Sequence, residues 1–196
     1  MKLRTDELLQ ELAAGHAAPA AGSALALTGA LAAALVEMVA RLTREKAESG
    51  PDRLRERYGP YRPRADEIRA EATALRQELQ ALVQEDAELV SSLIAQRRLG
   101  TSVPAATSGW AGAAGTLLRI ARAALRVHAL ATELQAHGYR TAAGDAHTAA
   151  QLARLAAEGA LALAEGNLRD GADDATGAEY RELAEQLRRL GAPSLE

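Results

Sequence analysis

Ala17 to Val36, AAPAAGSALALTGALAAALV, runs for twenty residues without a charged side chain, in a chain of 196 residues of which 25% are charged. Three structures fit such a run: a membrane span, a helix buried on all sides of a bundle, or a small-residue turn opening a helix at a ligand site. The length suits a span. The content does not, because Pro19, Gly22, Ser23, Thr28 and Gly29 interrupt it and Ala outnumbers Leu. Alanine drives insertion far less than Leu, Ile or Phe, and no aromatic belt flanks the run. The run therefore predicts a helix apolar all round, buried in a bundle, with a turn of small residues before it. No membrane is expected as a partner.

The core has to be made from small aliphatic side chains. Hydrophobic residues are 48% of the chain, but aromatics are 3% and Phe is absent. Helices lined by Ala can approach closely. The length fits one domain, residues 1–196. A formal charge of −3 argues against binding nucleic acid through phosphate neutralisation. The absence of cysteine removes disulfides, thiolate chemistry and thiolate zinc sites. Asp6, Glu7 and Glu11 interrupt the first residues where a secretion signal needs an apolar stretch, so a cytoplasmic location is expected.

Helical periodicity runs through nearly the whole sequence, and alternating strand patterns are missing. Thr5–Ala14 reads as a short amphipathic helix capped by Thr5. Gly22-Ser23 opens a long helix to about Glu48, with Ser23 expected to cap backbone N–H groups. Asp52–Pro63 is basic and reads as a loop or a short turn of helix. Further helices are expected over Arg64–Leu99, Trp110–Ala136, Asp145–Leu168 and Ala178–Leu190, separated by a Pro104 loop, by His137-Gly138 and by the acidic DGADDATG turn. The fold class is all-α: an elongated antiparallel bundle of five to six helices, two of them long, each near ~40 Å at the α-helical rise.

Generic catalytic motifs are missing, including HExxH, GxSxG, the P-loop and GxGxxG. The four histidines (16, 128, 137 and 147) contain no i,i+4 pair, so no metal site is expected. Trp110 reads as a packing anchor or a ligand platform. Asp86 shares one helix face with Leu79, Leu82 and Val83, which points a carboxylate toward the core. Asp145 begins a helix, where it is a helix-end carboxylate or a reactive one. Asn167 closes the same helix, as a C-cap or a ligand contact.

Taken in order, several segments resemble the cyclodeaminase/cyclohydrolase family. This is the domain of formiminotransferase-cyclodeaminase and of free-standing methenyltetrahydrofolate cyclohydrolases. The likeness rests on Pro19-Ala20-Ala21-Gly22-Ser23-Ala24, the Ala-rich helix with Met38-Val39-Ala40-Arg41-Leu42-Thr43, Leu82 to Ala87, Gly144-Asp145-Ala146, Glu158-Gly159-Ala160-Leu161 and Asn167-Leu168. It covers about residues 5–190. The resemblance implies a homodimeric helical bundle with a folate substrate and no cofactor. The reaction implied is cyclisation of 5-formiminotetrahydrofolate with loss of ammonia, or hydrolysis of 5,10-methenyltetrahydrofolate. Both need proton transfer beside N5 and N10 and stabilisation of a tetrahedral carbon. By that resemblance Asp86 and Asp145 are the candidate catalytic groups. Gly22 and Ser23 would bind a substrate oxygen, Arg41 or Lys46 the folate carboxylates, and Asn167 is a further binding residue.

The chain also departs from the family pattern. Ala20 and Ala21 stand where glycines are expected, Glu45 replaces a glycine, Gly144 a serine and Leu163 an asparagine, and His147 takes an apolar position. The alternative reading is a catalytically inactive dimeric relative that binds another small molecule or a protein.

Overall fold

The computed structural model describes residues 5–16, 18–98, 105–168 and 174–191. Seven α-helices carry these residues: α1 (Thr5–Ala13), α2 (Ala21–Ser49), α3 (Asp52–Tyr58), α4 (Arg62–Arg98), α5 (Ala105–His137), α6 (Ala143–Leu168) and α7 (Asp174–Gly191). Short 3₁₀ turns at Gly59–Tyr61 and Arg140–Ala142 lead into α4 and α6. The described residues contain no strand.

The all-α antiparallel bundle expected from periodicity is the one found. The long helices α2 and α4 are 29 and 37 residues, and α5 adds a third at 33. The basic Asp52–Tyr58 segment completes its turn as α3, and α5 starts at Ala105, earlier than Trp110. The Trp110 side chain, the Thr5 cap, the Pro104 loop, most of the acidic turn and the last residues of the tail lie outside the described residues.

Ion pairs and hydrogen bonds fix the helix directions. Ser23, Glu37 and Arg44 on α2 meet Asp86, Arg76 and Asp66 on α4, so the two helices are antiparallel. Arg64, Glu71 and Glu85 on α4 meet Glu133, Arg126 and Arg119 on α5, again antiparallel. The tight connection Gly138–Ala142 turns α5 back into α6. Helices α2, α4, α5 and α6 therefore run up, down, up, down.

Small residues make the packing close. The buried face of α6 is Ala146, Ala149, Ala150, Ala153, Ala156, Ala157, Ala160, Leu161 and Ala164, at alternating helical spacings. Gly159 on α6 lies against Leu25 on α2, and a Cβ there would sit 2.5 Å from the Leu25 Cδ2. Gly29 admits Leu79 of α4 in the same way, at 3.1 Å from its ideal Cβ position. Larger side chains such as Ile68, Leu79, Leu82, Leu118, Ile120, Leu130 and Leu134 fill the centre and are fully buried. By length and composition α2 is apolar enough to cross a membrane. In this fold α4, α5 and α6 cover its inner faces, as expected of a central bundle helix.

Candidate functional site

The helix α2 begins without a cap of its own. Ala20 precedes it in extended geometry, and no side-chain hydrogen bond closes the end. The expectation that Ser23 caps the helix is corrected here, because Ser23 lies inside the first turn. Its hydroxyl donates instead to Asp86 Oδ2 of α4 at 2.8 Å. The Ser23 backbone N–H also bonds the Asp86 carboxyl. Asp86 therefore satisfies, from another helix, one of the backbone donors that a helix start leaves unpaired. Asp86 is on the core side of α4, where its spacing from Leu79, Leu82 and Val83 predicts it.

Gly22 completes the arrangement. A Cβ at this position would lie 2.6 Å from Asp86 Cγ, closer than any real contact. The carboxyl occupies the space a side chain would need, so glycine is required here for room. Ser23 is completely buried and Asp86 is 6% exposed.

The electrostatics of Asp86 follow from this burial. Among the described residues, no arginine or lysine is paired with it. Loss of solvent raises its pKa above the ordinary carboxylate range, and the hydrogen bonds from Ser23 only partly oppose that rise. A carboxyl held toward its protonated form beside a serine hydroxyl can both donate and accept a proton, as acid–base chemistry requires.

The other predicted residues separate by helix direction. Because Gly159 faces Leu25, the end of α6 lies at the start of α2. Asn167, half-buried in the last turn of α6, is thus at the same end of the bundle as Gly22, Ser23 and Asp86. Asp145, in the first turn of α6, is exposed at the opposite end. Arg41 and Lys46 are also toward that far end. Arg41 is exposed and pairs with Glu45 at 3.8 Å, while the Lys46 ammonium stands 5.6 Å from the Tyr139 ring centroid. Along α2, Ser23 and Lys46 are separated by about 35 Å of helix. Within one chain the structure brings Gly22, Ser23 and Asp86 together, with Asn167 at the same end. It does not bring Asp145, Arg41 or Lys46 to them.

The far end has its own polar hub, built from residues the periodicity did not single out. Thr43 is fully buried; its hydroxyl donates to Val39 O and accepts from Tyr139 N at 2.9 Å. Tyr58 accepts from Arg140 N at 3.1 Å and packs edge-on against Tyr139. These bonds anchor the α5–α6 connection. A hydroxyl at a core position of an otherwise apolar face was the available signal for Thr43. Near Asp86, Thr116 is likewise buried and donates to Glu85, which also takes Arg119 at 2.6 Å. Among the described residues, no three His, Asp or Glu side chains form a metal-binding group.

Residues 4–186 match the family model described as Formiminotransferase-cyclodeaminase. Among solved structures, the crystal structure of formiminotetrahydrofolate cyclodeaminase from Thermotoga maritima is similar, with a TM-score of 0.81 at 21% identity, covering 96% of this chain and 91% of that one. At this identity the likeness is one of fold. No curated protein matches the chain.

Proposed function

The chain belongs to the formiminotransferase-cyclodeaminase family, and we propose that it acts on a one-carbon unit carried by tetrahydrofolate, as a homodimer. The two reactions considered are hydrolysis of 5,10-methenyltetrahydrofolate and cyclisation of 5-formiminotetrahydrofolate with loss of ammonia. The single observation that carries the reading is the Gly22–Ser23–Asp86 cluster: a buried carboxyl, with no cation beside it among the described residues, next to a hydroxyl, at a helix start that tolerates no larger residue.

The chemistry asked of this cluster is proton movement. In hydrolysis, water adds to the methenyl carbon and loses a proton. The resulting tetrahedral carbon then releases N5 as a protonated amine and leaves the formyl group on N10. In cyclisation, N10 attacks the formimino carbon and loses its proton, and the amino group leaves as ammonia after gaining one. Asp86, with its raised affinity for a proton, takes the first proton and returns it to the leaving nitrogen. Ser23 holds the carboxyl in place and Asn167 supplies an amide at the same end of the bundle. Asp145 has no part with Asp86 in a single-chain site.

A second reading follows from Ala20 and Ala21. Ala21 is exposed and Ala20 half-buried at the turn before Gly22, so their Cβ atoms narrow the approach to the helix start. In that reading the bundle binds folate, or another small molecule, without turnover. Loss of methenyl absorbance on adding the protein to 5,10-methenyltetrahydrofolate, ammonia release from 5-formiminotetrahydrofolate, and a thermal shift with 5-formyltetrahydrofolate separate the readings. Turnover supports the first, a shift without turnover the second, and neither result removes folate altogether.

A further inference from the structure

Asp86 has an acidic neighbour in a different setting. Glu85 precedes it on α4, about 100° around the helix, and the two carboxyls face different helices. Asp86 turns to the start of α2. Glu85 turns to α5, where Arg119 Nη1 donates to its Oε1 at 2.6 Å and Thr116 Oγ1 donates to the same oxygen at 3.2 Å. Thr116 and Arg119 are three residues apart and share one face of α5. The side chains of Arg119 and Glu85 are 42% and 43% exposed, and an exposed pair alone holds its geometry weakly. Thr116 is buried. Its hydroxyl anchors the Glu85 carboxylate, and the carboxylate holds the arginine.

Arg119 matters because cations are scarce at this turn. Helix α4 packs between α2 and α5. On α2 the first charged residue is Glu37, and on α5 it is Arg119. Arg122, next on α5, pairs with Glu179 of α7. On α4 itself Glu88 accepts from Gln84 at 2.8 Å, and Arg76 pairs with Glu37 of α2. Arg97 follows Asp86 by about 16 Å of helix. Among the described residues, Arg119 is thus the cation that these helices bring to the Asp86 turn. Two adjacent carboxyls share that turn, and the arginine goes to Glu85. An opposite charge within about 4–6 Å favours a carboxylate and weakens its hold on a proton. A guanidinium on Asp86 would undo what burial creates there. Neighbouring carboxyls set in opposite environments can divide acid–base roles between them.

We infer that Glu85 is a positioning residue for Asp86: braced by Thr116, it holds the Arg119 guanidinium on the α5 side of α4 and leaves Asp86 without a counter-cation for proton transfer. The proton-transfer role rests on the proposed function; the charge arrangement does not.

The signs of three variants test this. Glu85→Gln keeps the shape and an acceptor for Thr116, and leaves the Arg119 charge uncompensated beside the turn. Arg119→Leu leaves the Glu85 charge uncompensated instead. The double variant carries neither charge. The readout is the pH titration of the Asp86 carboxyl carbon by NMR in isotope-labelled protein, with its signal identified by loss in Asp86→Asn. The Asp86 midpoint is expected to fall by about 0.5–1 pH unit in Glu85→Gln, to rise by a similar amount in Arg119→Leu, and to return to the wild-type value in the double variant. Unchanged midpoints in both single variants, shifts of the same sign, or a double variant that fails to return overturn the inference. A bridge that only braces the helices has no sign to reverse. The pH dependence of methenyl decay is expected to move in the same directions. Absence of turnover in wild type overturns the folate reading, and the carboxyl titration then decides the role of Glu85 by itself.

Discussion

At Gly22 the need for glycine is a matter of space, and it is measurable. Gly22→Ala forces a methyl against the Asp86 carboxyl, and the loss expected in urea denaturation is about 1–3 kcal/mol, as for other overpacked sites. Asp86 carries a pH dependence whose sign is fixed by its raised pKa. The folded state holds the proton more tightly than the unfolded chain. The Asp86 contribution is therefore most favourable below the ordinary carboxylate pKa near ~3.9 and is lost as pH rises through the folded value. Asp86→Asn keeps an acceptor for Ser23 and removes the charge. Thermal melts from pH 4 to 8 should show that downward slope in wild type, relative to Asp86→Asn, and equal or greater stability for the variant at pH 7. An unchanged slope contradicts the burial of an ionisable Asp86. The core-facing position of Asp86 was legible in the sequence, because residues three and four apart share a helix face. The partner of its carboxyl was not, because Ser23 reads locally as a cap and only the packing of α4 across α2 redirects its hydroxyl.

Each long helix was legible from its apolar period, since that period is a property of one segment. How the helices are paired end to end is not, and this is why Asp86 and Asp145 looked equally placed for one site. The antiparallel course of α6 along α2 sends Asp145 to the far end and Asn167 to the near one. The Asp52–Pro63 segment reads as a loop or a short turn of helix because Gly59 and Pro60 break it; its first seven residues, Asp52–Tyr58, are helical, and Tyr58 buries its ring against Tyr139. The buried bond from Tyr139 N to Thr43 is the link that sets the α5–α6 connection on α2. Thr43→Val preserves shape and removes the acceptor, leaving a part-buried N–H unpaired. A loss of about 1–3 kcal/mol is expected in denaturant unfolding, together with faster amide exchange at Tyr139. No change in exchange at Tyr139 contradicts the anchoring role.

At the scale of the whole molecule, the uncharged run resolves into two functions of one helix. Its inner faces close the bundle with alanine and glycine, and its first turn places Gly22 and Ser23 against Asp86. Its outer face stays apolar, with Leu31 54% exposed. Four helices of small residues form the bundle, and the proposed chemistry is assigned to one end, where a helix start and a buried carboxyl meet. The most direct test of that account is the decay of methenyl absorbance under wild type and Asp86→Asn at equal folded concentration, with folding checked by the melting temperature. The account predicts catalysed decay by wild type and a loss of about 10²–10⁴-fold in Asp86→Asn, the range of a missing acid–base group, without loss of fold. Equal rates for the two proteins would contradict it.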